Sequence, residues 1–368
     1  MKKYILFVFC LLFFFLYSCT NEKSMLYPIN KDDGVIFIDN KGKVITAKIP
    51  GVSQYEAYEQ PTTQIEFDIF TYYDFSGSKL FSIDFQRKGH FEDHVFSNGL
   101  LAQKDKESDL VGYIDLSGNF VIPPQYEYCL PFSDNVAWVQ YKTNETYGLI
   151  DTSGKKIKLS DYHIVTKFVN GYSYVIKRLQ PDFYIPYVEN GIEIKGAQEN
   201  VSGSFGGIVN TEGKVVISFT LGEYTVVSDG VVKCREKYVS EKGAEYSLYG
   251  YKNLKDKWII PPTYIYADNF KYGKAEVSED NKTFFLIDKK GNIILDKKYS
   301  FIYVLSKKLL IVSFDKKSFY IADIKGNRKS ENFSLIKIID DKMVLIKRNG
   351  NYNYLNSDGK FFNFLDYN

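Results

Sequence analysis

The chain has 368 residues, of which 45% are hydrophobic, enough to bury the core of one large domain. Its 47 Lys and Arg residues nearly balance its 45 Asp and Glu residues. This balance argues against the strongly basic surface that proteins use to bind nucleic acid or to grip anionic membranes.

Residues 1–18 predict a secretory signal. A basic start precedes an apolar run at 5–17, which is too short for a membrane-spanning helix of ~20 residues. The run ends in Leu16-Tyr-Ser-Cys19, which resembles the lipobox of bacterial lipoproteins. This resemblance implies that Cys19 is acylated and becomes the new N-terminus, and we expect residues 19–33 to form a polar tether. Ordinary secretory cleavage, with Cys19 unmodified, is the alternative.

The signal and the implied anchor together predict where the protein works. We expect a lipid-anchored protein of the bacterial cell envelope, outside the cytoplasm. The sequence leaves open which membrane holds it and on which face. We therefore expect the protein to be attached to the membrane through its lipid anchor, with no basic patch to assist the attachment.

Residues 34–368 predict one domain of tandem repeats. Nine turns share an Asp or Asn followed three residues later by Gly, except that the sixth has Asp256 at the Gly position. The turns begin at Asp39, Asp74, Asp115, Asp151, Asn210, Asn253, Asp288, Asp323 and Asn356. A turn that recurs at intervals of about 35 residues is typical of repeat folds. The first residue caps backbone N–H groups, and Gly accepts the positive φ of a hairpin loop built on a type I turn.

The segments around each turn predict an all-β fold. Gly112–Asp115 and Asn119–Ile122 flank the third turn and are rich in β-branched and aromatic residues, and a third apolar segment follows at 135–140. We expect tandem β-hairpin repeats of about 35 residues. A propeller-like ring is favoured because closure removes exposed strand edges. An open curved β-solenoid is the alternative, since about 35 residues is short for a four-stranded blade.

Three stretches carry a family resemblance. Gly112–Tyr126 (GYIDLSGNFVIPPQY), followed by Phe132–Val139, resembles the WG-repeat family of bacterial β-repeat proteins. Trp258–Tyr264 and Phe96–Ala102 are similar to the same pattern, although Tyr249-Gly250 stands where the family has Trp-Gly. The resemblance implies a repeat scaffold and no particular chemistry.

One interval between turns is longer than the others. Asp151 and Asn210 are 59 residues apart, which predicts an insertion near 178–204. Insertions in repeat folds emerge on one face, often the binding face. Three aromatic residues between two prolines are therefore the candidate partner contact, namely Phe183, Tyr184 and Tyr187. An embellishment that packs against its own unit is the alternative.

No motif in the sequence predicts a catalytic, cofactor-binding or metal site. His90 and His94 have the spacing of a helical metal motif but precede a predicted strand. The recurrent Asp residues are explained by the turns. Cys129 and Cys234 do not occupy equivalent repeat positions, and whether they pair stays open.

We therefore predict a non-enzymatic scaffold that binds another envelope or extracellular protein, without a cofactor and without nucleic acid. Binding of a glycan or small ligand through exposed rings is the second hypothesis, because the chain has 31 Tyr and 29 Phe. The third is a carboxylate-dependent hydrolase, which needs two acids facing each other at the centre of a ring.

Overall fold

The computed structural model describes most of the repeat region. The described residues are 25–31, 34–51, 58–66, 69–84, 95–141, 147–177, 186–189, 192–195, 205–220, 223–239 and 243–367. Within these ranges the chain forms antiparallel strands and one 3-10 helix, Phe364–Tyr367, so the all-β prediction is confirmed. None of the helical structure in these ranges is long and apolar enough to cross a membrane.

The strands form nine successive antiparallel units, numbered 1 to 9 after the turn each contains. Unit 1 has β1 and β2, unit 2 has β3–β5, unit 3 has β6, β7 and the first half of β8, and unit 4 has the rest of β8 with β9–β11. Their bounds are β1 Tyr27–Lys31, β2 Gly34–Ile38, β3 Thr62–Glu66, β4 Ile69–Tyr73, β5 Lys79–Asp84, β6 Leu101–Lys104, β7 Val111–Ile114, β8 Phe120–Cys129, β9 Val136–Tyr141, β10 Tyr147–Asp151 and β11 Lys156–Leu159.

Units 5 to 9 continue the same order. Unit 5 has β12, β13, β16 and β17, with the separate hairpin β14–β15 between them; units 6 and 7 have β18–β21 and β22–β25, unit 8 has β26–β28, and unit 9 has β29–β32. The bounds are β12 Tyr162–Val165, β13 Tyr172–Lys177, β14 Pro186–Glu189, β15 Ile192–Lys195, β16 Phe205–Asn210, β17 Val215–Thr220, β18 Glu223–Ser228, β19 Val231–Val239, β20 Glu245–Asn253, β21 Trp258–Tyr264, β22 Tyr266–Ala267, β23 Lys274–Ser278, β24 Phe284–Asp288, β25 Ile293–Tyr299, β26 Phe301–Val304, β27 Leu309–Ser313, β28 Tyr320–Asp323, β29 Ser334–Ile338, β30 Met343–Arg348, β31 Asn351–Asn356 and β32 Phe361–Asn363.

The predicted turns adopt the predicted conformation. In unit 3, Asp115 Oδ1 accepts hydrogen bonds from the backbone N–H groups of Ser117 (2.8 Å) and Asn119 (3.2 Å), and Gly118 has a φ of 80°. The capping residue of every other turn accepts the same two bonds. Asp256, at the Gly position of the sixth turn, adopts φ 58°, which Asp tolerates better than most residues.

Each complete unit has four strands, one more than the hairpin and third segment expected from the sequence. In unit 4 the additional strand is the second half of β8. Tyr126 on β8 is the register partner of Val111 on β7 and of Tyr141 on β9, so one continuous segment ends one unit and begins the next. Four strands fit into about 35 residues because most strands are short and the turns are tight.

The hydrophobic core is divided among the interfaces between units. Nine clusters of buried side chains each join two units that adjoin each other, and the ninth cluster joins unit 9 to unit 1. In the cluster between units 4 and 5, Trp138 stacks on Phe168 with ring centroids 5.7 Å apart and donates its indole N–H to Ser173 Oγ at 2.9 Å. The units therefore form a closed, propeller-like ring.

The contact between the last and first units has the same geometry as the internal contacts. Tyr113 and Tyr251 lie two residues before their turns, and each donates its hydroxyl at 2.6 Å to a backbone carbonyl of the next unit. Tyr354 occupies the same position in unit 9 and donates to the Pro28 carbonyl of unit 1, also at 2.6 Å. Its ring packs edge-on against Tyr27.

The ring begins earlier than the sequence suggests. Residues 19–33 were expected to form a tether, but Tyr27–Lys31 form strand β1, in which Tyr27 and Ile29 are fully buried. Pro28 and the polar residues nearby conceal this strand, because the segment lacks a continuous apolar run. Residues 1–24, with Cys19, lie outside the described residues.

The two cysteines of the ring are free and lie in different interfaces. Cys129 is buried between units 3 and 4, and Cys234 is buried between units 5 and 6. Burial raises the pKa of the Cys234 thiol to about 12 and raises the pKa of Cys129 well above its usual range. Both are therefore protonated, unreactive thiols at neutral pH.

Ring closure can be tested by removing one hydroxyl. Tyr354→Phe deletes the bond across the closing interface and leaves the Pro28 carbonyl unpaired, which should lower the free energy of unfolding by about 1–2 kcal/mol. Tyr113→Phe deletes the matching bond inside the ring and is the control. Urea unfolding monitored by tryptophan fluorescence should give similar losses for both; a neutral Tyr354→Phe beside a destabilising Tyr113→Phe would contradict closure.

The state of the cysteines gives a second prediction. In the chain carrying Cys10→Ser and Cys19→Ser, a thiol reagent should not modify Cys129 or Cys234 in native buffer at pH 7.5, because both lack thiolate and solvent access. Both should react fully in urea. Mass spectrometry provides the measurement, and either rapid native labelling or a mass two hydrogens low would show that this description of the thiols is wrong.

Candidate binding site on the ring axis

A second series of turns forms the inner end of each unit. Where the first strand meets the second, two consecutive residues have positive φ, as in the type I′ hairpin that fits the twist of antiparallel strands. These pairs are Asn98-Gly99, Asp134-Asn135, Asn170-Gly171, Asp229-Gly230 and Tyr272-Gly273. Three of these turns are visible in the sequence as the hairpin dipeptides Asn98-Gly99, Asn170-Gly171 and Asp229-Gly230.

The inner turns of neighbouring units are hydrogen-bonded to one another. Asn98 Oδ1 accepts the backbone N–H of Asn135 at 3.2 Å, and Asp134 Oδ2 accepts that of Gly171 at 2.7 Å. Asp229 Oδ2 accepts the N–H of Gly273 in the same way. The side chain that opens one turn thus holds the next turn in position around the axis.

Two adjoining cavities lie where the inner turns converge. The smaller, of about 260 Å³, is lined by residues of units 5 to 9. The larger, of about 580 Å³, is lined by residues of units 1, 3, 4, 5 and 9 and by two linking residues, Glu59 and Val95. Both include Val169 and Asn170. Since units on opposite sides of the ring contribute to each, the cavities lie on the ring axis.

The charged groups of the smaller cavity belong to units 7 to 9. Lys271 Nζ lies 2.9 Å from Asp341 Oδ1, donates to the Tyr303 hydroxyl at 2.8 Å, and sits 4.4 Å from the centroid of the Tyr303 ring. Burial would lower the pKa of Lys271, but the hydrogen bond to Tyr303 and the Asp341 carboxylate outweigh it and raise that pKa. The lysine is a firmly protonated cation held by a ring face and a carboxylate.

Lys271 is a charged residue at a position that is uncharged in units 3 to 6. The position before the inner turn is Ser97 in unit 3, Ser133 in unit 4, Val169 in unit 5 and Ser228 in unit 6. Asp340, which lines the larger cavity, stands where unit 8 has Ser306, and its Oδ2 accepts the Tyr27 hydroxyl of unit 1 at 2.7 Å. The hairpins of other units show that the fold does not require charge here.

A buried carboxyl lies in the same cavity. Glu276 on β23 is 7% exposed, and its Oε1 accepts the backbone N–H of Ile302 at 3.2 Å. Burial, and to a smaller extent the Asp268 carboxylate, raise the pKa of Glu276 to about 8, against the opposing effects of the Ile302 N–H and Lys316. Counted from the inner turn, this position is Trp138 in unit 4 and Leu345 in unit 9, but it is Lys233 in unit 6. The position is therefore apolar in some units and charged in others.

The residues singled out in the sequence lie elsewhere. Phe183 and Tyr184 are outside the described residues, and Tyr187 lies on β14 without a described side chain. The β14–β15 hairpin follows the far end of β13, away from the inner turn at which β13 begins. The insertion thus leaves unit 5 at the end opposite the axial turns. His90 and His94 are also outside the described residues.

The described residues offer no grouping for a metal ion. No three His, Cys, Asp or Glu side chains come close enough together, within the ranges that the structure covers, to share one. Asp268 and Glu276 line the same cavity, which is where the hydrolase hypothesis would place its two acids.

Glu276 should make stability depend on pH. Its pKa is raised to about 8 in the folded state, so the protonated carboxyl contributes on the order of a few kcal/mol to the free energy of unfolding. This contribution is fully present below about pH 4.5 and is lost as pH rises through about 8. Glu276→Gln should remove this slope from the unfolding free energy measured between pH 5 and 9. The exposed Glu107→Gln is the control and should keep it. An unchanged slope in Glu276→Gln would refute the assignment.

Comparison with solved structures gives loose similarities that extend along most of the chain. AztD from Citrobacter koseri is 11% identical, with 92% of each chain covered and a TM-score of 0.32. BamB from Moraxella catarrhalis is 10% identical, with 91% of this chain and 92% of that chain covered and a TM-score of 0.30. Hsv2 from Kluyveromyces lactis is 9% identical, with coverages of 92% and 97% and a TM-score of 0.29.

Sequence comparison with curated proteins finds no match. Three segments match the family described as WG containing repeat, at residues 112–142, 249–282 and 284–317. Each match begins in the strand that leads into the Asp or Asn turn of one unit and ends just beyond the second strand of the next unit. These three segments therefore carry the WG containing repeat. The resemblance recognised in the sequence is confirmed for Gly112–Tyr126 with Phe132–Val139 and for Trp258–Tyr264, whereas Phe96–Ala102 lies outside the matched segments.

Proposed function

We propose that this protein is a lipid-anchored, extracytoplasmic scaffold that binds another envelope or extracellular protein and is not an enzyme. The observation that carries the proposal is the closed ring, in which every unit is fixed to both neighbours by a shared hydrophobic cluster. Such a ring presents its loops in fixed positions. Rigid scaffolds with protruding loops are a common basis of protein binding.

The anchor would hold this ring close to a membrane. Acylation of Cys19 is implied by the lipobox resemblance, and the ring begins at Tyr27. Eight residues of extended chain reach at most about 28 Å. The partner would therefore be a membrane protein or a protein that works beside the membrane.

The insertion of unit 5 is the proposed docking element. It departs from the repeat, and it leaves the ring at the end opposite the axial turns. Its aromatic residues Phe183, Tyr184 and Tyr187 suit a contact surface, because Tyr and Phe give large contact areas at a small cost in entropy.

Glycan binding is the second candidate, and the distribution of exposed rings bears on it. The most exposed described rings belong to five different units rather than to one groove; they are Phe75, Phe120, Tyr246, Phe314 and Tyr352. These exposed rings therefore do not form one glycan-binding groove, and a glycan would have to bind in a cavity such as the axial ones. The hydrolase hypothesis depends on the smaller axial cavity, through Asp268 and Glu276.

The docking proposal can be tested by exchanging the insertion for a turn. Lys177 and Phe205 are register partners on adjacent strands, so an Asn-Gly loop can replace residues 178–204 and leave the sheet intact. In-cell crosslinking, affinity purification and mass spectrometry should recover one partner in near-stoichiometric amount with the native chain. We expect the replacement to lose that partner.

Two controls separate anchoring from docking. Cys19→Ala should release the protein from the membrane and reduce crosslinking without removing the docking surface. Lys290→Glu alters an exposed turn at the other end of the ring and should keep the partner. If the native anchored protein yields no protein partner, the scaffold proposal is refuted.

A further inference from the structure

We propose that the smaller axial cavity binds a small organic cation, namely a primary amine carried on a short apolar body. This inference is independent of protein docking, since the cavity lies on the axis, away from the insertion. It rests on the balance of hydrogen-bonding groups, on the shape of the cavity and on the position of its charges in the repeat.

Several hydrogen-bond donors of the lining are already engaged by protein groups. The amide of Asn170 donates to the Val227 carbonyl, and the hydroxyl of Ser228 donates to the Phe270 carbonyl. Lys271 is already engaged by Tyr303 and Asp341. The carboxyl groups are different, because each carboxylate has about four acceptor positions.

Three carboxyl groups line the cavity, and protein groups occupy only part of their accepting capacity. Asp268 Oδ1 accepts the backbone N–H of Asn269, Glu276 Oε1 accepts that of Ile302, and Asp341 Oδ1 receives the Lys271 ammonium. At pH 7, where Glu276 is mostly protonated, Asp268 and Asp341 give the lining two carboxylates against one base, Lys271. A ligand that fits must bring positive charge and several N–H donors, as an ammonium group does.

The cavity already stabilises one ammonium. Lys271 Nζ lies over the face of Tyr303 and beside Asp341, which is the arrangement by which proteins hold alkylammonium ions. The lysine belongs to unit 7 and its carboxylate to unit 9, so the pair spans unit 8. This mouth of the cavity is thus built for cationic nitrogen, and the exposed Asp268 and the buried Glu276 provide a second acidic point.

Shape and chemistry distinguish an amine from a metal ion. The acids do not approach one another closely enough to share a metal within the described part of the chain. A molecule several ångströms long can contact carboxylates that a single ion cannot. The volume of about 260 Å³ suits a molecule of amino-acid size, and Val169, Ile302 and Val304 give it apolar walls.

Binding should be linked to a proton. The pKa of Glu276 is about 8, so at pH 7 the carboxyl group of Glu276 is mostly protonated. The other ionisable groups that act on it are Asp268, Lys316, Tyr251 and Tyr266. An ammonium nearby favours the ionised carboxylate, so binding releases a proton at pH 7, and affinity rises as pH rises through 8.

The test uses 1,5-diaminopentane and its uncharged counterpart 1,5-pentanediol, titrated calorimetrically into the full chain in detergent. Running each titration at pH 7 in two buffers with different heats of ionisation counts the protons released. We expect the diamine to bind at least tenfold more tightly than the diol, with proton release. Asp341→Asn and Asp268→Asn should each weaken diamine binding about tenfold or more, because each removes a charge-assisted contact.

Glu276→Gln tests the linkage separately. It should abolish proton release, and the exposed Glu107→Gln should leave both affinity and proton release unchanged. Asp341 is largely exposed, so its variant keeps the test decisive even if a buried substitution unfolds the ring. Equal affinity for diamine and diol, or diamine binding unchanged by both Asp341→Asn and Asp268→Asn, would overturn the proposal. Neither result bears on docking of a protein partner.

Discussion

Among the described residues, no unit of this ring has a hydrophobic core of its own. Each buried cluster is shared between two units, as when Trp138 of unit 4 packs on Phe168 of unit 5. A four-stranded sheet with one apolar face exposed would be marginal in water, so each unit depends on its neighbours. The same dependence applies to the ends of the chain, and the bond from Tyr354 to Pro28 satisfies it by joining the last unit to the first.

This dependence explains why the family's repeat and the structural unit are out of phase. The matched segment 112–142 takes β7 and the first half of β8 from unit 3 together with the rest of β8 and β9 from unit 4. It therefore contains one interface rather than one sheet. Tyr113 and Phe132 lie within it and pack together with ring centroids 4.6 Å apart across that interface. The sequence pattern follows the contact that stabilises the ring, because that contact constrains the residues most strongly.

Local chemistry was predictable from the sequence, and long-range assembly was not. The Asp115 turn could be predicted because its capping bonds reach only two and four residues along the chain. The fourth strand was missed because β8, Phe120–Cys129, changes partner without a break. The axial site joins Lys271 to Asp341, 70 residues apart, and no pattern within one repeat contains both. Only the arrangement of units in space brings them together.

The axial site also shows that packing constrains some positions of the repeat more strongly than others. Packing constrains the faces between units, so a polar residue there carries a cost, which the raised pKa of Glu276 expresses. Packing does not constrain the position before each inner turn in this way, because the small residues Ser97 and Ser133 occupy it in units 3 and 4. Lys271 stands at such a position, whereas Glu276 is buried and is accommodated by the Ile302 N–H. Unit 6 has Lys233 at the position of Glu276, so the fold tolerates a titratable side chain there, and burial shifts the pKa of both residues toward the neutral form. What distinguishes unit 7 is that Asp268, Lys271 and Glu276 line one cavity together with Asp341 of unit 9, which is the feature that a ligand would use.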